Sequence, residues 1–326
     1  MKTKRIVISL LVSVTVVFTF VFGGTLKKDR NVAAKGYRGI ITLWHIDTFE
    51  GGTGSRKQFL LDVGAKFEKL NEGVLVMAVG YTVEGAEEEM KKGNFPDMIS
   101  FGNGLDINGY TPIEIEEEFI EGVYLGETAA VIWARGGYAL FSKKEITEKT
   151  LNSVTVSESQ FNLPLVAFAL SGFSAKSVTV KSPLDAYVDF VSGKAEYLVG
   201  TQRDVIRLKN RGYSAVVTPL PSFSDLNQFI AITGRDEEKN ECSKRFVSFL
   251  LSDDTQSKLN EIGLFSYNKN VSYEDENLSA LNGVKGKGIS VLAGKEKICE
   301  IRETALCAAS GNEEALKKLN NVAFLP

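Results

Sequence analysis

The sequence is poor in the residues on which disulfide frameworks and metal sites depend. Its 326 residues include three cysteines and one histidine. No CxxC pair and no cluster of cysteine with histidine occurs, so a structural zinc site is not expected. Cys299 and Cys307 fall on one predicted helix, about 12 Å apart along its axis, which is too far for a disulfide. We therefore expect these two cysteines and Cys242 to be buried apolar side chains, and we expect no metal site.

The motifs of common enzyme classes are also missing. A Ser-His-Asp triad would have to use His45, and the chain has no GxSxG, HExxH, Walker A or GxGxxG motif. No pair of carboxylates stands out among the 41 acidic residues. The formal net charge is −3, whereas nucleic-acid binding requires a basic face. We therefore expect a protein that is not an enzyme, uses no cofactor and does not bind nucleic acid.

The N-terminal segment is typical of export. Lys2, Lys4 and Arg5 precede residues 6–26, which contain no charged side chain. A run of this length could be a cleaved signal peptide or a retained membrane anchor, because about 20 apolar residues span a bilayer. Residues 27–36 follow as a polar linker. Both alternatives predict that the rest of the chain is extracytoplasmic.

Alternating strand and helix patterns predict an α/β fold in two halves. Strands are expected at 40–44, 74–79, 98–101, 129–133, 138–141, 195–199, 215–218 and 229–233. Helices are expected from Ser55 and at 85–92, 184–192, 204–210, 239–251, 254–262, 295–309 and 312–320. Strands that alternate with helices favour mostly parallel sheets with right-handed crossovers. The paired Gly136 and Gly137 suit a hinge or a change of sheet between the halves, because glycine adopts unusual backbone angles.

Polar residues follow the carboxyl ends of two strands in the first half. Ligands bind at this edge in open parallel sheets. The richest run follows the first strand and contains His45, Asp47 and Glu50, and Phe101 with Asn103 follows the third strand. These side chains could contact a ligand, or the first run could be a solvated turn with His45 packed on its own sheet.

The proposed hinge and a strand of the second half supply further candidates. Trp133, Arg135 and Tyr138 flank the glycine pair, where an aromatic ring beside a cation could hold a polar ligand. The alternative is a crossing strand that buries Trp133 in the core. Gln202 follows the strand at 195–199 and is again at a carboxyl end.

Six segments resemble, in order, one family of binding proteins. They are ITLWH with the Gly-rich loop and KFEKLNEGVLV; NFPDMISFGNG; AVIWARGGYALFSKK; SGKAEYLVGTQRD; VVTPLPSFSDLNQFIAITGRDEEKNECSKRFVSFLLSDDTQSKLNEIG; and EIRETALCAASGNEEALKKLNN. The chain resembles the extracellular solute-binding proteins of ABC transporters, in the sugar-binding class (family 1) that includes maltose-binding protein.

The resemblance implies a two-lobed, type II periplasmic-binding-protein-like fold of the α/β class, in which crossing strands join the lobes and the ligand lies between them. The first lobe would comprise 37–134 plus 226–272, and the second 135–225 plus 273–326. The lobes would close about a hinge through contacts that only the closed state makes. By position, the ligand-binding residues would be His45, Asp47, Glu50, Arg56, Phe101, Asn103, Trp133, Arg135, Tyr138 and Gln202.

The implied function is capture of a small polar solute, with sugars among the candidates, and its delivery by a monomer to an ABC permease in the membrane. The chain has only two tryptophans, and Gln202 stands where sugar-binding relatives often carry an aromatic residue. These departures argue against a large oligosaccharide. An extracytoplasmic ligand sensor and an enzyme built on the same two-lobed fold are the alternatives.

Overall fold

The computed structural model describes residues 37–49, 51–105, 122–124, 128–234, 236–266, 271–283, 287–289 and 294–322. The predicted export segment 1–26, the linker 27–36 and the candidate ligand residue Glu50 lie outside these residues. Within the described ranges, none of the helices combines the length and apolar character needed to cross a bilayer.

Eleven strands are formed by the described residues. They are β1 (Gly39–Ile46), β2 (Val74–Tyr81), β3 (Met98–Phe101), β4 (Gly122–Tyr124), β5 (Thr128–Arg135), β6 (Tyr138–Ser142), β7 (Thr150–Ser157), β8 (Ser174–Lys181), β9 (Tyr197–Thr201), β10 (Val216–Pro219) and β11 (Asn227–Ile232). These strands form two sheets, with β1–β5 and β11 in sheet A and β6–β10 in sheet B. We call the part of the chain built on sheet A the first lobe and the part built on sheet B the second lobe.

Helices connect the strands and cover the sheets. The described helices are α1 (Arg56–Leu70), α2 (Val83–Lys91), α3 (Pro164–Leu170), α4 (Pro183–Val191), α5 (Gln202–Asn210), α6 (Glu237–Leu250), α7 (Asp253–Gln256), α8 (Glu276–Asn282), α9 (Lys295–Ala309) and α10 (Glu313–Asn320), with a 3₁₀ helix at Ser257–Ile262 after α7. The C-terminal pair α9 and α10 packs on α3, and α9 also contacts β8, so both belong to the second lobe.

Both sheets are mixed. In sheet A, β1 pairs parallel with β2 and β3, whereas β11 pairs antiparallel with β3 and β5, and β4 with β5. In sheet B, β7 pairs parallel with β8 and β9, whereas β6 pairs antiparallel with β9 and β10. The expected α/β class is confirmed, but the expectation of mostly parallel sheets is wrong. The chain crosses between the lobes from β5 to β6 and from β10 to β11 without an intervening helix. These four strands run antiparallel to their neighbours, so both sheets are mixed.

The chain passes between the sheets at two fully described points. Gly136 and Gly137 connect β5 to β6, and residues 220–226 connect β10 to β11. A further segment follows the 3₁₀ helix, where Phe265 exchanges two backbone hydrogen bonds with Arg135 (2.8 and 2.9 Å). The lobe boundaries given by the resemblance remain a prediction.

Helix α1 shows how local sequence positions the site. Its first residue is Arg56, and the Ser55 hydroxyl accepts a hydrogen bond from the Gln58 backbone N–H (3.1 Å), as an N-cap does. The Gln58 side chain bonds Asp62 (2.9 Å) and does not close a capping box. The helix buries one apolar face against sheet A, formed by Phe59, Leu60, Val63 and Phe67. Arg56 is thereby fixed at the helix start, directly after the loop that follows β1.

The elements that the sequence patterns miss lie mostly in the second lobe. Strands β7 and β8 have the polar sequences TLNSVTVS and SAKSVTVK, which lack a long apolar run. Helix α3 (PLVAFAL) is too short and too uniformly apolar to show a helical period. The short helix α8 is also absent from the prediction.

The cysteines depart from expectation in part. Cys242 is buried, but Cys299 and Cys307 are exposed on α9. The buried face of that helix is formed by other small and branched residues, which are Ile298, Ile301, Ala305, Ala308 and Ala309. The helical spacing of the two cysteines from this face leaves both thiols on the solvent side.

Candidate functional site

Two cavities lie where loops of the first lobe meet a loop of the second lobe. The first has a volume of about 490 Å³ and is lined by Asp47, Thr48, Phe49, Gly51, Gly52, Thr53, Gly54, Ser55, Arg56, Ser159, Gln160, Phe161 and Arg203. The second has a volume of about 470 Å³ and is lined by His45, Asp47, Lys57, Gly80, Tyr81, Thr82, Val83, Glu84, Gln160 and Phe161. Asp47, Gln160 and Phe161 line both cavities, which therefore adjoin one another.

The loop after β1 has a conformation that requires glycine. The Thr53 backbone N–H donates a hydrogen bond to the Ile262 carbonyl (2.8 Å), which holds the loop against the end of the 3₁₀ helix. Gly52 has φ +77°, and a Cβ there would come within 2.2 Å of the Ile262 carbonyl oxygen. The Gly-rich run that marks this loop in the sequence thus allows close approach to a neighbouring segment.

Asp47 is the polar centre of the first cavity. Its Oδ1 accepts hydrogen bonds from His45 Nε2 (3.0 Å) and Arg56 Nε (2.7 Å). Arg56 is itself buried, donates to the Phe49 carbonyl and to Gln228 Oε1 (3.4 Å), and has its guanidinium carbon 4.2 Å from the Phe49 ring centroid. Both contacts to Asp47 fall on Oδ1, and the Asp47 side chain is 62% exposed. The carboxylate can therefore also accept hydrogen bonds from a bound molecule.

Ser100 determines which ring nitrogen of His45 carries the proton. The Ser100 hydroxyl oxygen lies within hydrogen-bond distance of Trp133 Nε1 (2.9 Å) and Gln228 Nε2 (3.1 Å), which can only donate. Its two lone pairs are then occupied, so its proton is donated to His45 Nδ1 (3.1 Å). His45 therefore carries its proton on Nε2 and donates that proton to Asp47.

The pKa directions agree with this network. Burial lowers the pKa of His45, so the neutral imidazole is favoured. Partial desolvation by the surrounding loop raises the pKa of Asp47, but the hydrogen bond from His45 and the positive charge of Arg56 outweigh it and bring the pKa to about 2. Burial lowers the pKa of Arg56, which the adjacent Asp47 opposes. The cluster is a carboxylate that stays charged beside a neutral histidine and a buried arginine.

The chain Ser100, His45 and Asp47 has the connectivity of a catalytic triad but not its exposure. Ser100 is fully buried in β3 and lines neither cavity. A serine nucleophile must reach a substrate carbonyl, and its hydroxyl proton must go to the histidine as attack occurs. Here the hydroxyl group supports the imidazole from inside the protein.

Trp133 and Arg135 lie away from the two cavities. Trp133 is fully buried and stacks on Phe59, with ring centroids 5.7 Å apart. Arg135 is buried at the crossing, where its guanidinium bonds the Asn282 side chain (2.7 Å) and lies over the Phe265 ring. Both residues stabilise the packing between segments in this conformation.

Tyr138 and Asn103 meet at Asp225 in the second crossing. The Tyr138 hydroxyl donates to Asp225 Oδ1 (2.6 Å), and Asn103 Nδ2 donates to the Asp225 carbonyl (3.1 Å). Burial raises the pKa of Asp225 to about 7, against a lowering by the hydrogen bond from Tyr138. Asn103 thus links the first lobe to the crossing.

Gln202 and Phe101 are fully buried. Gln202 Oε1 accepts a hydrogen bond from the Gly137 N–H (3.0 Å), and its Nε2 donates to the Gly263 carbonyl (3.4 Å). Phe101 packs on Phe229 in the core of sheet A, with ring centroids 5.9 Å apart. Of the ten candidate ligand residues, His45, Asp47 and Arg56 line the cavities, and a ligand contact by any of the ten stays a prediction.

Several cavity residues were not among the candidates. Tyr81 ends β2, so it obeys the carboxyl-end rule that selected the other residues. Gln160 and Phe161 follow β7, whose polar sequence hides the strand. Recognition of β7 would have placed both residues at a strand end.

Solved structures share this fold. The chitin oligosaccharide binding protein matches with a TM-score of 0.60 at 11% identity, over 87% of this chain and 98% of that chain. Maltose-bound MalE3 of T. maritima matches with a TM-score of 0.56 at 15% identity, over 86% and 97%. Iron-bound HitA of Pseudomonas aeruginosa matches with a TM-score of 0.53 at 13% identity, over 86% and 99%. These matches confirm the expected two-lobed fold of the binding-protein type.

Comparison at the level of sequence gives no match. No family model matches the chain. No curated protein matches it either. The similarity to known proteins is therefore a similarity of fold.

Proposed function

We propose that the chain is an extracytoplasmic solute-binding protein that captures a small polar solute, of the sugar class, and delivers it to an ABC permease. The observation that carries the proposal is the first cavity, which is lined by the loop after β1 in the first lobe and by residues of the second lobe. A solute there would contact both lobes, so its binding would favour the closed arrangement.

The chemistry of the first cavity suits a polyol. Asp47 is a charged acceptor held in place by His45 and Arg56, and hydroxyl groups are good donors to a carboxylate. Phe49 and Phe161 are mostly buried, but both line the cavity and give it an apolar surface that the C–H groups of a sugar can contact. The volume of about 490 Å³ lies in the range of small-molecule sites.

The structures of similar fold support a binding role. They do not define the solute class, which is argued from the residues of the cavity. The chitin oligosaccharide binding protein and maltose-bound MalE3 share the fold, and so does iron-bound HitA. Since the fold serves different solutes, the argument for a sugar rests on Asp47, the two phenylalanine rings and the size of the cavity. The buried position of Ser100 argues against the enzyme alternative.

A thermal-unfolding screen of the full chain in mild detergent tests the proposal. The panel contains mono- and oligosaccharides, amino acids, polyamines and small anions. A solute at 100 times its dissociation constant should stabilise the fold by about 2.7 kcal/mol, which raises Tm by some degrees. A shift with sugars, without consumption of the compound, supports the proposal. A shift confined to another class, or no shift with any compound, contradicts it.

Asp47→Asn examines the site itself. Removing the charge weakens the hydrogen bonds that Asp47 offers to the solute, so the solute identified by the screen should bind roughly 10- to 100-fold more weakly, since such bonds contribute about 1.5–3 kcal/mol. Asp62→Asn is the matched control, because Asp62 is exposed on α1 and, among the described residues, bonds the Gln58 side chain. Equal affinities of the two variants would remove Asp47 from the site.

A further inference from the structure

Phe161 belongs to the second lobe but is buried in the first. It lies in the loop between β7 and α3 and is 7% exposed, within an apolar cluster otherwise formed by first-lobe residues such as Trp44, Val83 and Leu105. A Cβ on Gly104 would come within 2.2 Å of Phe161 Cδ1, so the ring lies directly against the Gly104 backbone. This contact between the lobes is made by residues that lie outside the segments where the chain crosses from one lobe to the other.

The loop that carries Phe161 is held in shape by its own lobe. Arg302 on α9 forms an ion pair with Glu158 (2.9 Å), and its Nη2 lies 2.6 Å from the Gln160 carbonyl oxygen and 3.3 Å from that of Asn162. The Asn162 side chain accepts a hydrogen bond from the Ser159 N–H (2.7 Å). The ring is therefore presented to the first lobe on a fixed support.

A second contact between the lobes lies beside the ring. Lys295, the first residue of α9, pairs with Glu87 on α2 of the first lobe (2.8 Å). The same ammonium group lies 5.9 Å from the Phe161 ring centroid. An exposed ion pair of this kind contributes little by itself, so the burial of the phenylalanine ring is the larger attraction between the lobes here.

The ring also stands between the two cavities, since Phe161 and Gln160 line both. We propose that Phe161 is the positioning residue for solute capture: its insertion into the first lobe holds the lobes closed and separates the solute cavity from the neighbouring cavity. The proposal depends on the proposed function only in that the lobes must part to admit a solute.

Opening of the lobes would withdraw the ring from its contact with Gly104. Full burial of a phenylalanine side chain favours the closed form by a factor of roughly 10 to 100. Removing the ring should raise the population of the open form by the same factor. The amides of Gly104 and Leu105 would then be exposed to solvent more often.

Hydrogen exchange of the full chain, measured without any solute, tests this directly. In Phe161→Ala, exchange in the peptide that contains Gly104 and Leu105 should be about 10- to 100-fold faster than in the wild type. Phe161→Leu keeps part of the apolar contact and should give a smaller increase.

Phe173→Ala is the matched control. Phe173 is also buried in the second lobe, where it stacks on Phe168 (5.7 Å), but it is not part of the first-lobe cluster. It should leave exchange at Gly104 and Leu105 unchanged. If Phe161→Ala matches Phe173→Ala at these amides, the proposal is overturned. If Phe161→Ala does not fold by circular dichroism, the comparison of Phe161→Leu with the wild type decides in the same way.

The result is separate from the proposed function. A chain for which the solute screen gives no shift would still show faster exchange in Phe161→Ala if the ring holds the lobes together. A chain that binds a sugar but shows unchanged exchange would retain its proposed function and lose this role for Phe161.

Discussion

His45 is the sole histidine of the chain, and its environment makes it a structural support for Asp47. Three neighbouring groups (Ser100, Trp133 and Gln228) determine which ring nitrogen carries the proton. The proton on Nε2 then aligns the Asp47 carboxylate with the cavity. A second proton on Nδ1 would face the hydroxyl proton of Ser100, so protonation breaks the network.

Because there is one histidine, its titration can be followed by NMR without assignment. We expect imidazole ¹⁵N signals of a neutral ring protonated on Nε2, with protonation only below the ordinary pKa of 6.5. The folded protein binds this proton less tightly than the unfolded chain, so its contribution to stability is present above pH 6.5 and is lost as pH falls through the folded pKa. A His45 that titrates at or above 6.5 would contradict the proton assignment.

Asp225 gives a pH dependence of the opposite sign. Its pKa is raised to about 7 by burial, with Tyr138 bonded to one carboxylate oxygen and Glu158 nearby. The folded protein binds this proton more tightly than the unfolded chain, so the stability it contributes is present below about pH 4 and is lost as pH rises through about 7.

Asp225→Asn removes this titration. Relative to the wild type, the variant should gain stability between pH 4 and 8, on the order of a few kcal/mol at most. Urea denaturation of both proteins across that range measures the difference. Asp185→Asn is a control, because Asp185 is exposed on α4 and its hydrogen bonds within the described part of the chain are to the N-cap residue Ser182. A constant difference between wild type and Asp225→Asn at all pH values would show that Asp225 is ionised throughout.

Among the elements, the junction between β5 and β6 needs glycine because there is little room for a side chain, and not because the backbone adopts unusual angles. Neither Gly136 nor Gly137 has a positive φ. A Cβ on Gly136 would lie 2.8 Å from Gln202 Oε1 and 3.1 Å from Leu226 Cβ. The chain changes sheet at this pair, as one of the two sequence interpretations predicted, and the hinge stays a prediction. The need for glycine comes from close packing of three segments.

This difference gives a paired mutational test. Gly136→Ala should destabilise the protein by about 1–3 kcal/mol, as overpacking does. Gly137→Ala should have little effect, since its Cβ would meet the nearest atom, Phe265 Cε2, at an ordinary 3.5 Å. Thermal and urea unfolding of the two variants measure the contrast. Similar losses for both would mean that the backbone, and not the space around it, demands glycine.

Most elements of the first lobe could be predicted from sequence, and those around β7 could not. Strand β3 was predicted at its observed residues because an apolar run follows a proline turn. Strand β7 carries polar residues at alternating and adjacent positions, and its burial comes from neighbours that the sequence does not reveal. The loop after it, with Gln160 and Phe161, was lost for the same reason.

The site divides along similar lines. Position at a strand end selected His45 and Asp47, and both line the cavities. It could not separate them from Trp133, Arg135 and Gln202, whose partners come from distant segments of the chain. Only the folded chain shows that Trp133 packs on Phe59 in the first lobe, whereas Arg135 and Gln202 pack at the crossing between the lobes.

Across the whole molecule, the first cavity is lined by residues of both lobes, where we propose that the solute binds. Arg56 and Asp47 of the first lobe face Gln160 and Arg203 of the second across the first cavity. Contacts to one lobe alone would give binding without closure, since a ligand shifts an equilibrium only through its differential affinity for the two states. A solute that contacts both lobes stabilises the closed form.

The most direct test of solute capture between the lobes is hydrogen exchange of the full chain with and without the solute that raises its Tm. Capture between the lobes predicts that the solute slows exchange both in the loop at residues 51–56 of the first lobe and in the loop at residues 158–163 of the second. Protection of one loop alone, or protection elsewhere with both loops unchanged, would contradict capture between the lobes.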